Sequence, residues 1–223
     1  MKMQLQNIRL QLRQFVLEID AELNAPVTGI FGPSGSGKTS LLDLIAGLRK
    51  PQTGVMILNG DCLLDRAENV FVPPRHRRIG YVPQDLALFP HLDVRANLTY
   101  GLRSEETQDE LFSLSHVAEI MEIQHLFGSP VTQLSGGEQQ RVAFARAILS
   151  QPRLMLLDAP MSSLDSRLKQ RLIPFLLRIR DEFRIPVLYV THDAAELSAL
   201  CDEVLLIENG RIVGRGDPTI IDK

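Results

Sequence analysis

The stretch Gly32-Pro33-Ser34-Gly35-Ser36-Gly37-Lys38-Thr39, set directly behind the apolar run Val27 to Phe31, constrains the fold of this chain more than any other. Gly, four residues, then Gly-Lys-Thr is the pattern of a phosphate-binding loop between a strand and a helix. Glycines let the backbone curl so that successive N–H groups face anionic oxygens. Lys38 adds a positive charge for the β- and γ-phosphates, and the Thr39 hydroxyl can join the coordination of Mg²⁺. From Ser40 to Leu48 apolar residues fall at Leu41, Leu42, Leu44, Ile45 and Leu48, as on a partly buried helix. The positive end of that helix would sit under the phosphates. A glycine-rich turn that binds nothing is the bland alternative; strand, loop and helix signals together favour a bound nucleotide.

The flanking chain predicts an α/β domain. Alternation through Phe15, Leu17, Ile19, Ala21 and Leu23 has the period of half-buried antiparallel strands. Val55 to Leu58 runs into Asn59-Gly60, a hairpin signal. Ile79 to Val82, Leu154 to Leu157, Val187 to Val190 and Val204 to Ile207 read as further strands, and Arg211 to Val213 as a last short one. Helices are predicted from Ser166 to Phe183, bent or divided at Pro174, and from about Ala194. Residues 93–150 have helical patterning with a polar patch from Ser104 to Glu110, which predicts a helical insert. The 223 residues suffice for one large α/β domain with such an insert. The expected division is an α/β core over 1–92 and 151–223 and a helical subdomain over 93–150. Site residues should gather at the carboxyl ends of the strands.

Bulk properties narrow the expected partners. A formal net charge of −3 gives no general reason to expect nucleic acid. Cys62 and Cys201 lie far apart without metal-ligand spacing, which fits a reducing compartment. No stretch approaches the length of a membrane span, and Met1 to Gln6 lacks the apolar core of a signal peptide. Any membrane association is therefore expected to go through another protein.

A second group of motifs follows the loop. Asp158 closes the run Leu154 to Leu157, where a carboxylate is either an acidic strand cap or a ligand for Mg²⁺ opposite Thr39. Leu134-Ser135-Gly136-Gly137-Glu138 opens a helix: Ser135 is a fair N-cap, and the glycines allow another group close to the helix end. A second anion site beside one phosphate loop suggests that two protomers share each nucleotide.

In this order the motifs resemble those of the nucleotide-binding subunit of an ATP-binding cassette (ABC) transporter over nearly the whole chain. Gly32 to Thr39, with Ser40, matches the phosphate loop, Gln84 the Q-loop, and Leu134 to Glu138 the signature. Leu154 to Asp158 matches the Mg²⁺ strand, Ser163-Leu164-Asp165 the D-loop, and His192 the switch histidine. The resemblance implies a P-loop NTPase core of mainly parallel sheet, an N-terminal antiparallel β portion and an inserted α-helical subdomain. It implies a head-to-tail homodimer with two ATP molecules sandwiched between phosphate loop and opposing signature, Ser135, Gly136, Gly137 and Glu138 coming from the second copy. Phe15 fits the aromatic residue stacked on adenine; otherwise it is a core residue of its strand. Gln84 resembles the residue joining Mg²⁺ or water to the helical subdomain, and His192 the γ-phosphate sensor. The implied partners are transmembrane permease subunits and, through them, a substrate-binding protein, with the chain held at the cytoplasmic face of the inner membrane.

Phe71 to Asp85, Leu88 to Leu92 and Arg184 to His192 are similar to the oxyanion importers, closest to those for molybdate. Many such subunits carry a C-terminal oxyanion-sensing domain, whereas this sequence stops at Lys223, either truncated or without that regulation. One departure bears on chemistry. After Asp158 the family has a glutamate that positions the attacking water; this sequence has Ala159, and neither Pro160 nor Met161 offers a carboxylate. A positioned general base is worth about 10²- to 10⁴-fold in rate. ATP and Mg²⁺ binding is therefore expected to persist with hydrolysis severely slowed. Two readings follow: a transporter ATPase substituted at its catalytic position, as would trap the nucleotide-bound state, or a natural ATP-gated clamp or regulator. The intact remainder of the motif set favours the first. A soluble ABC protein outside transport would be expected to carry coiled-coil insertions or a second cassette.

Overall fold

The computed structural model describes residues 1–100, 102 and 110–222. The polar segment Ser104 to Asp109 lies outside the described residues. In chain order the elements are β1 (Met3–Gln11), β2 (Val16–Leu23), β3 (Val27–Phe31), α1 (Lys38–Ala46), β4 (Thr53–Leu58), β5 (Asp61–Asp65), β6 (Val70–Phe71), α2 (Pro74–Arg77) and β7 (Ile79–Val82). There follow α3 (Val94–Tyr100), α4 (Leu114–Ile120), α5 (Gly136–Leu149), β8 (Leu154–Asp158), α6 (Ser166–Asp181), β9 (Val187–Val190), α7 (Ala194–Leu200), β10 (Glu203–Glu208) and β11 (Arg211–Gly216). They form two compact units, Met1–Ile79 with Pro186–Lys223, and Gly80–Ile185.

The first unit is built on the strand order β6-β5-β4-β1-β2-β11-β10-β3-β9. From β6 to β2 every pairing is antiparallel, as the alternating N-terminal pattern predicts. β3 is flanked in parallel by β10 and β9. In β1 the buried positions change from Met3 and Leu5 to Ile8 and Leu10, an odd-to-even switch. A bulge between Leu5 and Ile8, with Asn7 at φ 48°, inserts one residue and keeps both pairs on the core side.

α1 buries Leu41, Leu42, Leu44 and Ile45, each at most 1% exposed. Each is worth about 1.5–3 kcal/mol against leaving it in water. Leu48 departs from the sequence expectation, lying beyond the helix and 60% exposed. Gly47 at φ 86° ends α1 and sends its N–H back to the Asp43 and Leu44 carbonyls, so the apolar stripe stops one turn early. α7 packs closely on β3 because Gly29 carries no side chain: a Cβ there would lie 2.5 Å from Leu197 Cδ2.

In the second unit β8 lies beside β7. All five residues of β8 are buried, which its unbroken apolar run requires. Helices α3, α4 and α5 occupy the stretch patterned as helical. α6 runs through Pro174 without dividing. Its N-terminus is capped by Asp165, whose Oδ1 accepts the N–H groups of Arg167 and Leu168, each at 2.9 Å. Among the described residues no helix is long and apolar enough to cross a membrane.

Candidate functional site

The residues singled out from the sequence are shared between the two units. In the first, Gly32 to Gly37 leave β3 and re-enter as α1, with Gly35 at φ 81° and Gly37 at φ 105°. Both conformations are cheap only for glycine. Gly37 is the N-cap of α1 and has no side chain with which to close the helix end. Lys38 Nζ donates to the carbonyls of Gly32 at 2.8 Å and Pro33 at 2.7 Å, arching back over the loop. The Ser36 N–H donates to the Pro33 carbonyl at 3.2 Å, and Gly210 in the β10–β11 turn donates to the Ser36 carbonyl at 3.0 Å. Ser36 Oγ is buried with no hydrogen-bond partner. A left-handed glycine pair, a lysine and an uncapped helix start suit a polyphosphate.

Phe15 is half-buried beside this loop. A Cβ on Gly37 would lie 3.5 Å from the ring, and one on Gly210 only 2.6 Å from it. The ring also borders a cavity of about 540 Å³ with Val16, Arg9, Glu18, Asn209 and Arg211. Glu18 joins the two arginines across that cavity, at 2.7 Å from Arg9 and 2.6 Å from Arg211. His192 follows β9 and is exposed, between the buried Thr191 and the half-buried Asp193.

The second unit carries the remaining positions. Gln84 follows β7, and its Nε2 donates to Ser162 Oγ at 3.4 Å. The turn after it holds two consecutive left-handed residues, Leu86 at φ 61° and Ala87 at φ 45°. Arg146 of α5 braces that turn, donating to the carbonyls of Leu86 at 3.0 Å and Ala87 at 2.8 Å while its guanidinium lies over the Phe89 ring. Burial lowers the Arg146 pKa.

Ser135 caps α5 in a reciprocal box. The Glu138 N–H reaches Ser135 Oγ at 3.4 Å, and Glu138 Oε2 takes the Ser135 N–H at 2.8 Å and its hydroxyl at 2.6 Å. These bonds, the side-chain one first, hold the Glu138 carboxyl below the usual range. Ser135 and Gly136 are exposed and Gly137 is buried. Asp158 closes β8 and is 4% exposed. Ala159 follows at φ 46°, its carbonyl accepting the Ser162 N–H at 3.1 Å. Gln140, 2% exposed, donates its amide to the Pro160 carbonyl. The hydroxyl of Thr39, the carboxylate of Asp158 and the amide oxygen of Gln84 are hard oxygen donors of the type Mg²⁺ takes.

Sequence reasoning passed over Arg146, Gln140 and Glu196, and also Arg77, although Pro73-Pro74-Arg75-His76-Arg77-Arg78 was in view. Their roles lie in carbonyls and hydroxyls that the fold brings to them, some sixty residues off for Arg146 and five to seven for Glu196, and no residue pattern records them.

A glycine-rich loop between β3 and α1 in the first unit, and in the second a helix capped by Ser135 and an acid-ended β8, belong to the fold of an ABC-type ATPase cassette. The chain belongs to the ABC transporter family, whose sequence profile matches residues 19–162. It is 43% identical over 208 residues to the molybdenum import ATP-binding protein ModC of Rhizobium meliloti, covering 93% of this chain and 58% of that one. It is 45% identical to the molybdate/tungstate import ATP-binding protein WtpC of Archaeoglobus fulgidus, covering 92% of this chain and 83% of that one. The chain thus spans well under two thirds of the length of the ModC relative. Among solved structures it is similar to the ATP-binding cassette MJ0796 in a dimeric post-hydrolysis state bound to ADP and Pi, with TM-score 0.76, 27% identity and coverage of 97% and 98%. The cbiO1 subunit of Clostridium perfringens shares the fold, with TM-score 0.83 at 24% identity and coverage of 99% and 90%.

Proposed function

We propose that this chain is the ATP-binding subunit of an importer for molybdate, tungstate or a related oxyanion. The observation that carries the nucleotide-binding part of this reading is the loop after β3: Lys38 folded over the Gly32 and Pro33 carbonyls, with Gly37 opening α1. Gly32 to Ser40 bind the triphosphate, and Phe15 stacks on the base. Thr39, Asp158 and Gln84 would hold Mg²⁺, which supplies charge neutralisation at the phosphate oxygens. Ser135, Gly136, Gly137, Glu138 and Asp165 complete the site from a second copy, in a head-to-tail homodimer. Residues 93–150 form the helical subdomain of the cassette, which meets the permease at the cytoplasmic face of the membrane. The relatives named for molybdenum and tungstate import support the substrate class.

Hydrolysis is slow in this chain because Ala159 presents a methyl group where a water must be oriented. His192 remains to stabilise charge on the terminal phosphate. The natural-regulator reading is kept by the same residue. Complementation separates the two. In cells lacking this chain, at limiting molybdate, Ala159→Glu should restore molybdenum accumulation while the present sequence restores little. Full uptake with the present sequence would overturn the slow-hydrolysis reading. Failure of both to restore uptake, with ATP binding intact, would favour the regulator.

A further inference from the structure

The loop carrying His192 is held from below by a buried carboxylate that the proposed function does not use. Glu196, in the first turn of α7, is 3% exposed. Its Oε2 accepts the Tyr189 hydroxyl at 2.7 Å and the Thr191 hydroxyl at 2.7 Å. Tyr189 is 1% exposed and Thr191 3%. Thr191 Oγ1 in turn accepts the backbone N–H of Asp193 at 3.1 Å. Asp193 Oδ1 accepts the Ala195 N–H at 3.0 Å, tying the same loop to the start of α7. One side chain, Thr191, therefore engages the residue after His192 and the carboxylate beneath it, while His192 is exposed.

A buried carboxylate is costly unless hydrogen-bonded, and the same two hydroxyl bonds that satisfy Glu196 tie the end of β9 and the loop to it. Burial, reinforced by Glu196, raises the Tyr189 phenol, so it stays a donor throughout the ordinary pH range. The network spans the end of β9, the loop and the first turn of α7.

We propose that Glu196, acting through Thr191, is the positioning residue for His192, fixing the loop so that the imidazole faces the terminal phosphate of a bound nucleoside triphosphate. The inference rests on the reading of His192 as a phosphate-facing group. Its test has one arm that does not depend on that reading.

In the nucleotide-free protein, ¹⁵N relaxation at the His192 amide should report a rigid backbone, with an order parameter of about 0.85. In Thr191→Val and Glu196→Ala it should fall below about 0.6, the flexible range. Glu196→Gln, which keeps an acceptor oxygen, should stay rigid. Thr191→Val removes one hydroxyl from the network and serves alone if Glu196→Ala does not fold. A rigid His192 amide in Thr191→Val would overturn the proposal.

The second arm compares affinities for Mg-ATP and Mg-ADP by calorimetry. His192→Gln and Thr191→Val should each reduce the preference for ATP by roughly three- to tenfold, the scale of a single hydrogen bond. Their combination should lose no more than either alone, and ADP affinity should hold. Equal losses for ATP and ADP in Thr191→Val would mean a merely structural role and would also overturn it. An unchanged ratio in His192→Gln would instead remove the phosphate-facing reading, leaving the relaxation arm to judge the positioning.

Discussion

The guanidinium of Arg77 closes the carboxyl end of α1, its Nη1 donating to the carbonyls of Leu44 at 3.0 Å and Ile45 at 2.8 Å. Its Nε donates to the Val72 carbonyl at 2.7 Å, and the group lies over the Phe71 ring. The helix that starts with Lys38 and Thr39 is thus anchored at its far end by a fully buried cation. Arg77→Met should destabilise the protein by about 2–4 kcal/mol, because three carbonyls lose a charged donor. Urea denaturation gives the value; a loss below about 0.5 kcal/mol would mean the cap is dispensable. Burial lowers the Arg77 pKa to about 10. The residue stays charged below that in both states and should add no slope to stability between pH 5 and 9.

The two thiols should behave oppositely. Cys62 is exposed and Cys201 buried, so one thiol should react rapidly with a disulfide reagent in the native protein and the second only on unfolding. Burial, with Asp202 and Glu196 nearby, pushes the Cys201 thiol up to about 12. Its folded pKa is raised, so the associated stability is complete below the ordinary thiol pKa and declines as pH rises from about 9 toward 12. Cys201→Ala should flatten the fall in urea midpoint between pH 8.5 and 10.5. Identical slopes in the two proteins would remove the thiol as its cause.

Nucleotide affinity should depend on Lys38 far more than on its neighbours. Lys38→Ala is expected to weaken ATP binding about 10- to 100-fold, the worth of one charge-assisted hydrogen bond. Calorimetry in Mg²⁺ buffer reads this directly, with circular dichroism to confirm the fold. Gly32→Ala should act differently: a Cβ there would overlap the Ile207 carbonyl oxygen, which is sheet backbone and cannot move cheaply. It should lower thermal stability as well as binding.

Placing a carboxylate at position 159 by Ala159→Glu should raise ATP turnover by about 10²- to 10⁴-fold. Ala159 already sits at φ 46°, where an L-residue bears a strain of about 1–2 kcal/mol. Glutamate would inherit that backbone rather than add to its cost. Ala159→Gly is the control: it should gain up to about 1 kcal/mol in stability and no turnover. Turnover in the present chain equal to that of Ala159→Glu would refute the slow-hydrolysis proposal.

Most of the elements were legible because their signals are local. The hairpin at Asn59-Gly60, the apolar run into Asp158 and the strand–glycine–helix order around Lys38 each rest on a few neighbouring residues. Leu48 misled, since helical spacing continues one residue past the glycine that ends α1. The odd-to-even switch in β1 was equally hidden, because a bulge is settled by pairing with β2 and β4 rather than by the strand itself.

At the candidate site, residue order alone says which chemical groups are present: the Gly32 to Thr39 loop, Asp158, Gln84, His192, and a methyl at Ala159. Those identities follow from residue type and local spacing: a strand–loop–helix unit for Gly32 to Thr39, and the ends of apolar runs for Gln84, Asp158, Ala159 and His192. How their surroundings are held depends on contacts made in the folded chain. Arg77 finds its carbonyls more than thirty residues earlier in the chain, Arg146 braces a turn some sixty residues before it, and Glu196 reaches Tyr189 across a strand end. Buried polar groups must find partners wherever the fold brings them, and such pairings leave no period in the sequence.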